Sequence, residues 1–345
     1  MTRTTIKDIA NAVGVSHTTV SYVLNKNPKQ KISEKTRAAV LAAAKELNYI
    51  PNETARSLRK NRTRCIAVAL ENSITHSRFY GILQGIREEL MAKGYGLLLM
   101  DFQSRTPSKN PDYLDSVLQR RTDGVIYISS DGTPPTCSSQ IAENHLPFVC
   151  CDCCPDEEEI ASVSFDYEKG ALEIACRLLG EGVTKLLYWH LDVDTLQEQY
   201  RIAGLEQALQ LYPKASLEIC KLPYLSHDDL SQMDSSNLDD VCQQSLVESI
   251  IPKLSSSDEK VAIICSQGIM VKNLCAALYH TQPDKYKIAL LSDSEVPLIP
   301  GMKILTSRPR FINGGRECAK LLLAQINEED IPNRIVLPPN FPTYI

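Results

Sequence analysis

Apolar residues first recur at helical spacing and then, beyond residue 64, gather into short continuous runs, so the pattern alone divides the chain in two. Ile6, Ile9, Ala10 and Val13 share one face of a predicted helix capped by Thr4 or Thr5. Gly14 interrupts that helix, Val15 turns inward, and Ser16 caps a second one, His17 to Leu24. Its Val20, Val23 and Leu24 point to a core, which leaves His17, Thr18, Ser21 and Tyr22 on the outer face. Asn25 and the Asn27-Pro28 pair end it. A third helix, capped by Ser33 and running to about Leu47, brings Val40, Leu41, Ala44 and Leu47 to close a three-helix core. The following Pro51–Lys60 is too short and polar to hold a helix by itself, and carries Leu58 between Arg56 and Arg59.

Beyond Arg64 the pattern alternates between runs and amphipathic stretches. Predicted strands at Cys65–Leu70, Tyr95–Asp101, Gly124–Ile128 and Pro147–Cys151 are separated by helices at Tyr80–Lys93 and Asp112–Arg120. A second set comprises helix Glu168–Gly180, strand Lys185–His190, helix Tyr200–Leu211, strand Leu217–Leu222, strand Val261–Cys265, helix Met270–Tyr279 and strand Ile288–Leu291. Strand, helix, strand at this spacing predicts parallel βαβ units, and two such sets predict two lobes. A length of 345 residues, more than one core usually organises, agrees. In open α/β sheets ligands bind beyond the carboxyl ends of the strands, so polar residues just past strands are the candidates for a cleft between lobes. These are Asn72 to His76, Asp152, His190 to Asp194, Ser266-Gln267 and Asp293, with Arg201 on a helix facing the same cleft.

Charge separates the same two parts. Residues 1–64 hold 13 Lys/Arg against 4 Asp/Glu, a net of +9, whereas the other 281 hold 24 against 38, a net of −14. A basic head on an acidic body confines attraction for phosphate to the head. A helix, a turn containing glycine, a second helix and a basic arm are the parts with which a protein sets one helix in the major groove of double-stranded DNA. Leu58 with its arginines has the make-up of an apolar wedge for a minor-groove step. Most of the Ser-rich, acidic stretch between Ser226 and Lys260 reads as a solvated loop and helix surface. No apolar stretch approaches a bilayer's span and none follows a basic start at Met1, which predicts a cytoplasmic protein without membrane contact.

Twelve cysteines, most of them single in apolar runs, read as reduced core thiols. Cys150-Cys151-Asp152-Cys153-Cys154 raises thiol or metal chemistry as an alternative. Alternation along a strand sends neighbouring side chains to opposite faces, however, so one strand cannot bring all four thiols to one ion, and no metal site is expected. Neither a GxxxxGK phosphate loop nor a GxSxG elbow occurs, so no catalytic residues, enzyme activity or cofactor is expected.

The runs Thr5-Ile6-Lys7-Asp8-Ile9-Ala10, Gly14 to Asn25, Ile32 to Arg37, Leu47 to Asn52 and Ala55-Arg56-Ser57-Leu58 together resemble the lactose-repressor (LacI/GalR) family of bacterial transcription regulators, with weaker likeness through the body to about Val336. The resemblance implies an N-terminal all-α helix-turn-helix DNA-binding domain over residues 1–50, a hinge helix and linker over 51–63, and an α/β two-lobed effector and dimerisation domain like the periplasmic binding proteins over 64–345. Its first lobe would take about 64–165 and 308–330, its second about 166–305 and 331–345. It implies a homodimer reading a near-palindromic operator through Thr5, Ser16, His17, Thr18, Thr19, Ser21, Tyr22 and Asn25, with Asn52, Ala55, Arg56, Leu58 and Arg59 from the hinge. By that likeness His17, Thr18 and Tyr22 choose bases, and Tyr22 stands where many members carry a guanine-reading arginine.

The implied effector residues are Thr75, His76, Phe79, Asp152, Arg201, Gln267 and Asp293. The carboxylates and the guanidinium of Asp152, Arg201 and Asp293 suit a sugar, polyol or carboxylated metabolite. Two departures stand out: Ser266-Gln267 replaces a common Asn-Asp pair, removing an acceptor for sugar hydroxyls, and Leu291-Ser292 replaces a Gly-aromatic pair. The implied function is a repressor in which a small molecule in the cleft controls operator affinity. A partner protein, or thiol or metal chemistry at Cys150–Cys154, is the alternative stimulus. Because Ile345 follows the last apolar run so closely, a dimer is expected over a tetramer.

Overall fold

A computed structural model describes residues 4–25, 31–50, 62–70, 77–101, 110–129, 131–193, 195–222, 235–255, 259–279, 286–296, 300–330 and 332–345. The chain separates into two units, Met1–Thr63 and Arg64–Ile345.

In the first unit, helices α1 (Ile6–Val13), α2 (His17–Leu24) and α3 (Glu34–Glu46) each start at a capping residue. Thr5 precedes α1, and its N–H and hydroxyl donate to Asp8 Oδ2 at 2.8 and 2.7 Å. Those two bonds hold the Asp8 carboxyl below the ordinary carboxylate range. Gly14, at φ 73°, closes α1 with its N–H on the Ala10 carbonyl, a left-handed cap. Ser16 and Ser33 accept from the backbone N–H groups of Thr19 and Thr36, both at 3.1 Å. Ile9, Ala10, Val20, Val23 and Val40 form the core, with Ile32, Ala43, Ala44 and Tyr49 packed around it. Leu41 and Leu47 were expected inside but are exposed, Leu41 by 50%. The face of α3 that carries Val40, Ala43 and Ala44 turns them outward, and Ile32 and Tyr49 take their place.

The second unit contains two six-stranded sheets. The first comprises β1 (Cys65–Leu70), β2 (Gly96–Asp101), β3 (Gly124–Ile128), β4 (Phe148–Cys151), β5 (Ala161–Phe165) and β11 (Arg334–Leu337), all parallel, in the order β11-β5-β4-β3-β1-β2. The second comprises β6 (Lys185–His190), β7 (Ser216–Lys221), β8 (Val261–Cys265), β9 (Lys287–Leu290), β10 (Ile304–Thr306) and β12 (Thr343–Tyr344), in the order β12-β10-β9-β8-β6-β7, with only β12 antiparallel. Most strands are apolar on both faces, as sheets covered on two sides require.

Helices α4 (Ser77–Ala92), α5 (Asp112–Leu118) and α6 (Ser138–Glu143) belong to the first lobe. The second lobe carries α7 (Tyr167–Gly180), α8 (Leu196–Leu211), α9 (Ser235–Ser245) running on into α10 (Ile251–Ser255), and α11 (Gly268–Leu278). The last helix, α12 (Phe311–Ile326), returns to the first lobe, where Phe311, Cys318 and Leu322 join the core of Ile66, Ile82 and Ile126. Against α12, α4 packs backbone to backbone. A Cβ on Gly315 would lie 1.9 Å from the Ile82 carbonyl oxygen, and one on Gly85 would lie 2.0 Å from that of Ile312. The chain passes between sheets three times, after β5, after β10 and after β11. Residues 331–345, expected in the second lobe, are therefore divided. β11 completes the first sheet beside β5, because Ile335 and Leu337 reach that core, and only β12 pairs in the second sheet.

Candidate functional site

The outward end of α2 begins with Ser16, His17 and Thr18, all exposed, followed by half-buried Thr19 and Tyr22 and exposed Asn25. Ser16 and Thr19 are bound to each other through their hydroxyls at 2.9 Å, which fixes the first turn of the helix. Ser21 departs from expectation. It is 6% exposed, and Asn25 Nδ2 donates to its carbonyl and hydroxyl oxygens at 2.8 and 3.2 Å. Its burial and its bonds to the capping Asn25 set it apart from exposed His17, four residues earlier on the same side of the helix. Thr5 is exposed at the start of α1. Asn52, Ala55, Arg56, Leu58 and Arg59 lie outside the described residues, as do Thr75 and His76.

In the body, Asp152 follows β4 in the left-handed region at φ 63°, 4% exposed, a conformation that asparagine and aspartate tolerate better than bulkier residues. Its N–H donates to the Val163 carbonyl at 2.8 Å. Its carboxylate accepts from Tyr167 OH at 2.9 and 3.1 Å, from Arg78 Nη1 at 3.2 Å and from Gln197 Nε2 at 3.3 Å. Burial raises the Asp152 pKa, while Arg78, Tyr167 and Gln197 pull it back. The Gln197 bond joins the lobes, because Asp152 ends a strand of the first sheet and Gln197 sits in the first turn of α8. Next to it, the Leu196 N–H donates to the Asp131 carbonyl at 2.9 Å, a second bond between lobes.

On the second lobe, Glu198 and Arg201 form a buried ion pair through Arg201 Nη1 and Glu198 Oε1. Glu198 Oε2 accepts from Tyr188 OH at 2.5 Å and lies 3.7 Å from His190 Nδ1. Tyr188 and His190, two apart on β6, stack with ring centroids 4.9 Å apart and planes 6° apart. The Arg201 guanidinium lies 4.9 Å over the Tyr167 ring, which connects this group to Asp152. Among the described residues, four atoms of the network are buried without a hydrogen-bond partner: Arg201 Nε, His190 Nδ1 and Nε2, and the Gln197 amide oxygen. A buried polar atom without a partner is costly, so such atoms mark places where a further molecule binds. Burial lowers the His190 pKa, opposed by Glu198. Burial also works against the charge of Arg201, but Glu198, Tyr188 and Tyr167 outweigh it and raise its pKa.

The remaining expected residues fall around this group with less definition. Phe79 is buried in the first-lobe core, beneath the Arg78 guanidinium at 4.8 Å. Gln267 is half-buried at the start of α11. Asp293 is half-buried, with Oδ2 3.8 Å from where a Cβ on Gly81 of α4 would sit, so it faces the first lobe.

The geometry of a helical head and a two-sheet body has counterparts among known proteins. Residues 5–52 match the family model described as bacterial regulatory proteins, lacI family, and residues 63–232 match that of periplasmic binding proteins and sugar binding domain of LacI family. The chain belongs to the LacI family. Among LacI-family relatives it is 29% identical over 290 residues to the HTH-type transcriptional repressor PurR of Mannheimia succiniciproducens, covering 82% of this chain and 80% of that one. It is 32% identical over 207 residues to PurR of Photobacterium profundum, where the match spans 59% of this chain and 60% of the relative. The fold matches the lac repressor dimer bound to operator and the anti-inducer ONPF, with TM-score 0.76 at 19% identity over 100% of this chain and 98% of that one. It also matches a complex of the transcriptional regulator CelR with cellobiose, with TM-score 0.60 at 21% identity over 99% and 98%.

Sequence reasoning about this LacI-family body found Asp152 and Arg201 but missed the groups that hold them: Arg78, Tyr167, Tyr188, Gln197 and Glu198. One signal was present. Thr195 and Glu198 have the spacing of a capping pair, and Glu198 N–H does bond Thr195 Oγ1 at 3.3 Å, which starts α8 at Leu196 rather than Tyr200. The carboxylate itself turns to Arg201, one helical turn on, and to Tyr188 on β6, a partner that spacing does not reveal. In the cysteine-rich stretch, Cys150 and Cys151 point to opposite faces of β4, one into the core of Tyr113 and Phe148, the other into that of Ile66 and Cys318. Hydrogen bonding to Cys318 and burial raise the Cys151 pKa, and Cys150 and burial do the same for Cys153, so both remain thiols. Among the described residues no group of three or more His, Cys, Asp or Glu is arranged to hold a metal.

Proposed function

We propose that this protein is a cytoplasmic, non-catalytic transcriptional repressor whose affinity for a near-palindromic operator is controlled by a small molecule bound between the lobes of its body. The observation that carries this reading is the buried polar network around Asp152 and Arg201, which joins the lobes through Gln197 and leaves four polar atoms without partners among the described residues. A molecule that satisfies those atoms binds one arrangement of the lobes better than another. That difference in affinity is what a ligand needs in order to shift a conformational equilibrium. The head supplies the DNA side, with α2 presenting His17, Thr18 and Tyr22 to base edges, and Ser16, Thr19 and Asn25 to the backbone. Residues 51–63, including Leu58, are assigned to the minor groove on sequence alone.

A homodimer supplies the two-fold symmetry that a near-palindrome needs. Exposed Tyr80 and Met91 on α4, with Leu98 and Leu99 on the edge strand β2, support a self-association surface on the first lobe. Cellobiose in the CelR complex supports a sugar or related compound as the ligand class.

The test is selection of fragmented genomic DNA on the purified protein, followed by operator binding of the Leu58→Ala and Arg201→Ala variants. A recurrent near-palindrome is expected, weakened in Leu58→Ala beyond any loss of non-specific binding. Arg201→Ala should bind it but lose the ligand response. The reading fails if no sequence is enriched, or if Arg201→Ala responds normally to whatever releases the wild type.

A further inference from the structure

Arg201 is a buried cation in the cleft, yet it is not available as a free charge. Glu198 stands one turn before it on α8, and both of its carboxylate oxygens are taken by protein donors, Oε1 by Arg201 and Oε2 by Tyr188 OH. The opposite wall is balanced in the same way, with the Asp152 carboxylate against Arg78. Among the described residues, the network around Asp152 and Arg201 therefore presents two carboxylates and two guanidiniums already paired, together with a spare donor at Arg201 Nε, a spare acceptor at the Gln197 amide oxygen, and the His190 ring. An uncharged molecule bearing both donors and acceptors fits what is left. An anion brings a desolvation cost that only an uncancelled cation offsets, and Glu198 has removed that cation.

We infer that Glu198 is the residue that sets charge selectivity in this cleft: by holding Arg201 it makes the site accept uncharged polar ligands and reject phosphates and carboxylates. This rests on the cleft being the ligand site proposed above. Glu198→Gln keeps the shape and one acceptor oxygen for Tyr188, but leaves the Arg201 charge uncancelled. The double variant Glu198→Gln/Arg201→Gln restores neutrality.

The experiment measures binding of inorganic phosphate, and of the matched pairs ribose with ribose 5-phosphate and glucose with glucose 6-phosphate, to the full-length wild type and both variants. The basic head is identical in all three, so phosphate binding there cancels in the comparison. Glu198→Gln should gain affinity for inorganic phosphate by about tenfold or more over wild type, with the double variant returning to the wild-type value. No gain in a folded Glu198→Gln protein overturns the assignment. If that variant does not fold, the wild type and the double variant decide. An anion that binds the wild type through the cleft, recognised because the double variant loses it, overturns the assignment, and equal binding by the two upholds it. Operator release separates this inference from the function it rests on. Phosphate that binds Glu198→Gln without altering operator affinity upholds the role of Glu198 while removing the cleft as the control site.

Discussion

At the scale of single residues, the body is governed by polar groups taken out of water and paired with one another. Asp152 has three partners, and a change to Ala leaves Tyr167, Arg78 and Gln197 facing an empty site. Thermal or urea unfolding of Asp152→Ala should show a loss of about 2–3 kcal/mol, whereas unchanged stability would mean that solvent replaces the carboxylate freely. His190 carries a pH dependence of defined sign. Burial holds it neutral below its ordinary value of 6.5, so the folded form takes up a proton less readily than the unfolded chain. Its contribution to stability is complete above 6.5 and declines as pH falls below that value, until the folded form is also protonated. Melting temperatures recorded downward from pH 7 should therefore drop, and His190→Asn should flatten that part of the profile. In the head, Tyr22→Arg should change base preference at one symmetric operator position, read by sequencing selected DNA. An unaltered profile would remove Tyr22 from the reading surface.

At the scale of elements, caps and close approaches decide where helices start and how they pack. Thr5, Ser16, Ser33, Asp166 and Thr195 start five helices; Thr5, Ser16 and Ser33 are read as caps from the sequence, whereas Asp166 and Thr195 are not, and the helix that Thr195 starts was expected only from Tyr200. The crossing of α4 and α12 was not visible, because nothing local says that Gly85 must face Ile312 or that Gly315 must face Ile82. Gly315→Ala forces a methyl group against a carbonyl oxygen that cannot move without shifting its helix. A cost of about 3 kcal/mol or more is expected in equilibrium unfolding, and a loss below 1 kcal/mol would show that the helices slide apart easily. β5, β10, β11 and β12 were likewise unread. Each is short, and all four flank a passage between the sheets, where pairing with a distant strand rather than local pattern creates the strand.

At the scale of the whole molecule, the +9 head and the −14 body are separate units, so their functions should separate too. Residues 64–345 produced alone should fold and keep ligand binding measured by calorimetry, but lose operator binding in a gel-shift assay. Retention of specific DNA binding by that fragment would contradict the division of labour. Operator affinity of the full chain should fall steeply between 50 and 200 mM salt, by about 10³-fold or more if each dimer makes six or more phosphate contacts.

The sequence by itself determined the three-helix head, the parallel α/β body and the candidacy of Asp152 and Arg201, because caps, helical repeats and polar residues after strands are local signals. Only the tertiary structure decided which sheet β11 joins, that Ser21 is buried, and that Arg201 is held by Glu198 against Tyr188 and Tyr167. The spacing of Glu198 and Arg201 allows their pair, but packing against Tyr188 and Tyr167, distant in the chain, takes it out of water, and local spacing does not encode such packing.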